Sequence, residues 1–161
     1  MEMESKAKDL KTLQILYFAL LTGQVLLGLV ACFLVSRGFL NASLRSITYI
    51  LLIITAFLSI GALAAGHVLF HKRLVRLRGQ TDLAMKIQDY RAACILKWAL
   101  FEFPCLLAIV FYLNTNQQAF LGLAGLLLLN FGSNYPSRNK VVGDLDLSSQ
   151  EAELFDQDRS L

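Results

Sequence analysis

"ILKWALFEFPCLLAIV", residues 95–110, decides how the whole chain is read. Only Lys97 and Glu102 in it are charged, and the run continues apolar to Leu113. A helix on the surface of a soluble protein keeps one apolar stripe and an opposing polar face; here apolar side chains go all the way round. At 1.5 Å per residue, Ile95–Leu113 comes to about 28 Å, close to the ~30 Å hydrocarbon core of a bilayer. The stretch reads as a transmembrane helix with one carboxylic acid set inside it.

Three further blocks have the same character: Leu13–Val35, Ile47–Phe70 and the shorter Ala119–Ser133. They account for a chain of 161 residues that is 56% hydrophobic and 17% charged, where a soluble domain carries about a quarter charged residues. The expected fold class is all-α, a four-helix transmembrane bundle over residues 1–134, with the lipid bilayer as its first partner. The block after Lys11 is too long for the apolar region of a signal peptide and has no small-residue cleavage site behind it, so it reads as a permanent span. Cys32, Cys94 and Cys105 lack CxxC spacing and read as small apolar fillers. No metal site and no cofactor are expected.

Lys and Arg favour the cytoplasmic side of short loops. Lys6, Lys8 and Lys11 precede the first block, and Lys72, Arg73, Arg76, Arg78, Lys86 and Arg91 lie between the second and third. Arg138, Lys140 and Arg159 follow the fourth. The remaining loops hold only Arg37 and Arg45, and "NTNQQ" (114–118) holds no charge. Both termini are expected in the cytoplasm. The net charge of +3 is too small and scattered for a nucleic-acid partner. Asn41-Ala42-Ser43 matches a glycosylation sequon and reads as a turn.

Shifting the sequence by 80 places lays "ILYFALLTGQVLLGLV" (15–30) on residues 95–110 with seven identities in sixteen positions. "AFLSIGALAAG" from Ala56 echoes "AFLGLAGLLLL" from Ala119. A duplicated helical hairpin, packed about an axis along the membrane normal, and chance similarity among Leu-rich helices both fit this pattern. Gly61-x3-Ala65, Ala62-x3-Gly66 and Ala19-x3-Gly23 are small-residue pairs of the kind that let helix backbones approach in lipid, and intramolecular packing is the favoured reading.

Between residues 71 and 94 helical spacing continues on both sides of "GQT", so helices two and three are expected to extend about two turns into the cytoplasm. Gly79 suits a C-terminal cap, Thr81 an N-cap and Asp82 a first-turn acid. Leu83, Met85 and Tyr90 are expected to bury against the other arm. Residues 135–161 read as an acidic cytoplasmic tail. Asp144, Asp146, Glu151 and Glu153 belong to a segment (141–161) of net −5, and Ser148-Ser149-Gln150-Glu151 forms a capping box for a short helix at about 149–155. Hairpin residues 71–91 carry a net +4. Three fates fit these charges: the tail folds over the hairpin, the tail stays solvated, or the hairpin faces anionic headgroups.

Gln24, His67, Glu102 and Asn130 fall at similar depth in the four blocks and form an expected intramembrane polar cluster. Pro104 removes a backbone donor and frees the carbonyl of Leu100 beside them. Lys97 and Trp98 read as a snorkelling cation and a belt aromatic at the membrane edge. Interhelical hydrogen bonds that fix register are the favoured role for the cluster. A site for a proton, a cation or a small polar headgroup, built on Glu102, is the other.

"QDYRAACILKWALFEFPCLLAIVFYL" (88–113), "PSRNKVVGDLDLSSQE" (136–151) and "LQILYFALLTGQVLLGLVACFLV" (13–35) together resemble an uncharacterised family of small four-span inner-membrane proteins of Bacteroidota. The resemblance implies an inner-membrane address. A more distant likeness is to the rotor proteolipids of rotary ATPases, which also repeat a hairpin of near 80 residues. There the acid sits on the second helix of a hairpin, whereas Glu102 sits on the first helix of the second hairpin, and the Gly-rich packing stripe here is thin. No HExxH, GxSxG, intramembrane Asp pair or phosphate loop marks an enzyme. The expected function is that of a small structural or accessory protein, with a protein partner or a second copy bound through the hairpin and tail. A proton or cation carrier using Glu102 is the alternative.

Overall fold

The computed structural model describes residues 3–39, 44–79 and 83–146, and among them every regular element is helical. Helix α1 covers Met3–Ser36, and a 3-10 turn at Arg45–Ile47 leads into α2, Thr48–Arg78. Then come α3 at Leu83–Thr115, α4 at Gln118–Gly132 and a short α5 at Arg138–Leu145. Three segments, Lys11–Ser36, Thr48–Arg78 and Met85–Thr115, are long and apolar enough to cross a membrane. Helix α4 is as apolar but only 15 residues long, about 22 Å. The sequon Asn41-Ala42-Ser43 (less its flanks), Thr81 and Asp82, and the expected helix at 149–155 lie outside the described residues.

Which side chains point outward is the inverse of a water-soluble fold. On α2 the buried positions are Thr48, Thr55, Ser59, Gly66, Leu74 and Leu77. Its large apolar side chains, Ile50, Ile53, Ile54, Phe57 and Ile60, are exposed, Phe57 at 73%. Only 11% of the α1 span and 17% of the α2 span is buried inside the molecule, so most of their apolar surface needs a lipid solvent. In hydrocarbon, association is driven by close fit and not by apolar burial, which is why α2 turns its small residues inward. Thr55 and Ser59 satisfy their hydroxyls locally, donating to the carbonyls of Leu51 (2.7 Å) and Thr55 (2.7 Å). They read as apolar to the neighbouring helix.

Helix α3 sits at the centre, packed against α1, α2 and α4. Tyr17 meets Trp98 (ring centroids 5.3 Å), and a Cβ built on Gly28 would lie 3.9 Å from Ile109. Both contacts step 81 residues forward, so α1 and α3 run parallel. Helices α2 and α4 run antiparallel to α3: Phe70 lies by Tyr90 and His67 by Phe101, while Phe131 lies by Trp98 and Phe120 by Phe111. The starts of α1 and α3, the end of α2 and all of α5 therefore share one end of the molecule, called here the basic end.

After Phe70 on α2 and ahead of Ile95 on α3, where charged side chains become frequent, the two helices form paired arms, with Leu74, Leu77, Ile87 and Tyr90 buried in one cluster. Met85, expected to pack there, is 61% exposed. Gly79 ends α2 at φ −81°, an ordinary helical value, so its left-handed freedom is not used. Helix α5, which no sequence signal led us to expect, closes the arms. Ser137 caps it by accepting from the Lys140 amide at 3.3 Å, and Val141 and Leu145, one turn apart, insert into the arm cluster. Asp144 then accepts from the Tyr90 hydroxyl at 2.9 Å, and the Arg78 Nε donates to the Asp144 carbonyl at 3.0 Å. Acidic tail and basic hairpin do meet at Asp144, but the charge on Arg78 goes to the backbone, and apolar insertion does most of the docking.

Among the described glycines the closest approach to a neighbouring helix is at Gly66. An added Cβ would stand 2.7 Å from the Phe101 ring, and Phe101 is itself fully packed. Gly61, one turn earlier, faces open space. Gly66→Ala is predicted to cost about 1–3 kcal/mol through overpacking and Gly61→Ala to cost nothing, read as thermal unfolding midpoints in detergent. Leu145→Ala is predicted to cost about 2–5 kcal/mol and to expose the α5 backbone to hydrogen exchange.

Candidate functional site

The four residues expected to form an intramembrane polar cluster share a layer but not a face. The 81-residue offset puts Gln24 level with Cys105, one turn from Glu102. His67 lies against Phe101, ring centroids 5.3 Å apart, and Asn130 is one residue from Phe131, which packs on Trp98. Gln24 points inward at 1% exposure, Glu102 is half-buried, and His67 and Asn130 are exposed. Among the described residues, no hydrogen bond links the four. The Asn130 carbonyl accepts from Asn134, while neither the amide nitrogen nor the oxygen of Gln24 has a partner. Pro104 is buried inside α3.

A polar centre that the sequence reading did not foresee lies at the basic end, where α4 stops. The last four carbonyls of a helix have no partner within it, and in hydrocarbon each unsatisfied group costs several kcal/mol. Here all four are met. Ser133 donates to Leu129 through its amide (3.1 Å) and its hydroxyl (3.0 Å), and the Asn134 side chain donates to Asn130 at 2.8 Å. The Asn134 amide donates to Phe131 at 2.9 Å. The Tyr17 hydroxyl, reaching across from α1, lies 2.9 Å from the carbonyls of both Phe131 and Gly132. Its ring stacks on Phe131 at 5.1 Å and meets Trp98 edge-on. Short as it is, α4 ends with a donor within hydrogen-bond distance of each of its last four carbonyls.

Lys97 belongs to the same centre. Expected to snorkel outward, it is instead 7% exposed. Its ammonium donates to the Asn134 Oδ1 at 2.7 Å and lies 4.7 Å from the centre of the Phe70 ring and 5.6 Å from that of Phe101. A cation held over aromatic faces loses less on leaving water than one in an aliphatic core, and here it joins α2, α3 and the α4 terminus. Trp98 likewise packs inward and not into a membrane-edge belt. The void beside them, bounded by Tyr90, Cys94 and Lys140, holds about 10 Å³, at most a single water.

Of the basic hairpin residues, Lys72, Arg73, Arg76 and Arg78 are exposed, Arg91 is half-buried and Lys86 is buried. Asp146 is exposed at the end of α5, in the left-handed region at φ 50°; Glu151 and Glu153 lie outside the described residues. Among the described residues no group of three His, Cys, Asp or Glu side chains is placed to hold a metal ion. The signal for the Tyr17 and Lys97 contacts was present only as residue type, since both read equally well as membrane-edge residues.

No protein-family model matches the chain, and no curated protein and no solved structure matches it.

Two variants separate structural from functional polarity. Leaving a buried polar group unpaired costs about 1–3 kcal/mol, so Gln24→Leu is predicted to raise the thermal midpoint in detergent; a lower midpoint would mean that the amide is bonded to something bound there. Tyr17→Phe keeps the stacking but leaves the Gly132 carbonyl without its donor, and is predicted to lose about 1–3 kcal/mol in the same assay.

Proposed function

We propose that the chain is a small inner-membrane protein, a four-span helical bundle with both termini in the cytoplasm, that acts as a structural or accessory subunit. The proposal gives its working surface to the arms of α2 and α3 with α5 docked on them. The observation carrying this reading is that the arms stay helical and packed well past the apolar spans while leaving Val75 and Met85 each 61% exposed. Phe70 lies level with Lys97, so Val75 is about 7 Å and Met85 about 18 Å farther from the membrane core. An apolar side chain held on a rigid element well clear of the hydrocarbon core, as Met85 is, fits a protein partner or a second copy better than water. The lengths of α1 and α3, 34 and 33 residues, and the 80-residue spacing of their starts support a duplicated hairpin, in which α4 is a shortened counterpart of α2. An inner-membrane address agrees with the Bacteroidota resemblance and with the basic residues gathered at one end.

Photo-crosslinking tests this in the native membrane. A benzophenone side chain at Val75 or Met85 is predicted to give discrete protein adducts, and one at Phe57 only lipid. Absence of protein adducts from both arm positions would remove the accessory role.

A second reading, a proton or cation carrier built on Glu102, is favoured by one observation. Glu102 has no hydrogen bond among the described residues and lies one turn from the unpartnered Gln24 amide. Two unsatisfied polar groups at one depth in a membrane mark a functional candidate. Reconstituted vesicles decide it: a carrier loses proton or cation flux in Glu102→Gln, and equal flux in the two proteins excludes the carboxyl from any transport.

A further inference from the structure

We propose that the cleft between the two arms at Arg73, Arg76 and Asp89 binds a phosphate group, presented by the headgroup of an anionic phospholipid. The inference rests on the membrane reading above and adds to it a ligand class and a site. The cleft encloses about 190 Å³ and is also lined by Leu77 and Ala92. Arg78 and Tyr90, the arm residues bonded to Asp144 of α5, are not among its lining residues.

Arg73 and Arg76 are three residues apart on α2, so their side chains leave the same helix face. Among the described residues neither makes a hydrogen bond or an ion pair. Asp89, across the cleft, is already engaged in an interaction of its own. Two guanidinium groups open on a cavity whose lining holds a single carboxylate, Asp89, which leaves the cleft with a net positive charge for an anion to meet. A phosphate offers several acceptor oxygens to their planar donor forks, the geometry in which charge-assisted bonds are strongest.

Depth points to the source of that phosphate. Phe70, level with Lys97, ends the apolar part of α2. Arg73 and Arg76 lie about 4–9 Å beyond it along the axis. The headgroup layer of a bilayer is about 5–7 Å thick on each side, so Arg73 stands within it and Arg76 just past its outer margin, from where a long side chain reaches back to a lipid phosphate. Leu77 and Ala92 give the cleft an apolar wall, suited to the glycerol carbons next to a phosphodiester and of no use to a free inorganic ion.

The test uses the full chain in detergent micelles, with binding read by native mass spectrometry and by the shift in thermal midpoint. Three probes are added separately: phosphatidylglycerol, diacylglycerol with the same acyl chains, and inorganic phosphate. Native protein is predicted to bind phosphatidylglycerol and not diacylglycerol. The Arg73→Gln/Arg76→Gln variant is predicted to bind it at least about tenfold more weakly, having lost two charge-assisted contacts. Lys11→Gln/Lys72→Gln, which removes the same charge from the same end outside the cleft, is predicted to lose less than about threefold, as screened surface charges do. Ala92→Leu, which fills the cleft and keeps every charge, is predicted to match the double arginine variant. Inorganic phosphate that shifts the midpoint only when both arginines are present would keep the phosphate chemistry and assign it to a soluble source. Equal phosphatidylglycerol binding by native protein and the arginine variant, full binding by Ala92→Leu, or equal losses in the two charge variants would each overturn the proposal.

Discussion

Everything in the molecule is arranged around a helix that has to be packed on three sides in a solvent offering no hydrophobic push. Lipid tails are as apolar as leucine, so α3 gains nothing by merely hiding its side chains from them. What holds α1, α2 and α4 to it is shape. Gly66 lets the α2 backbone down onto the Phe101 ring, and Ala124 stands close enough for its carbonyl to accept from the Cys105 thiol at 3.7 Å. The large residues left over, such as Phe57 and Ile60 on α2, face outward without penalty. The inverted burial is a direct consequence of the solvent.

The same solvent makes hydrogen-bond accounting strict, and the chain meets it unevenly. Helix α4 is too short to reach the far side of a hydrocarbon core unaided, yet its final carbonyls are each given a donor by Ser133, Asn134 and Tyr17. Lys97 is buried but bonded to Asn134 and set between two rings. Against that careful satisfaction the bare amide of Gln24 stands out, as does the half-buried Glu102 one turn away. A fold that supplies donors to all four carbonyls of one helix end has not been careless elsewhere by default. That contrast, more than the presence of an acid in a span, is why the carrier reading is retained.

The apolar helices were legible in the sequence because apolar length is a local property: the block expected at Ala119–Ser133 is the helix Gln118–Gly132, though among the described residues three helices are long and apolar enough to cross a membrane. Facing was not legible. A helix hydrophobic on all sides gives no moment to orient it, so residue type alone does not show that His67 and Asn130 face outward while Lys97 and Trp98 point in. The arms were foreseen from Leu74, Leu77 and Tyr90, which keep helical spacing between charges. Helix α5 was missed because "RNKVVGDL" is short and polar, and the capping box at Ser148 drew attention instead. Pro136-Ser137 ahead of Val141 and Leu145, spaced one turn apart, was the signal that could have found it. Polar chemistry that depends on two distant segments meeting, such as Tyr17 with the end of α4 across 114 residues, has no local signature at all.

The central claim is that lipid surrounds α1–α4 and that the basic end lies in the cytoplasm. Single cysteines answer it in spheroplasts, with the three native thiols replaced and an impermeant maleimide as the probe. Asn116→Cys, at the turn between α3 and α4, is predicted to react in intact spheroplasts, and Asn139→Cys, on exposed α5 surface, only after lysis. Labelling of position 139 before lysis, or equal labelling of both positions, would contradict the account.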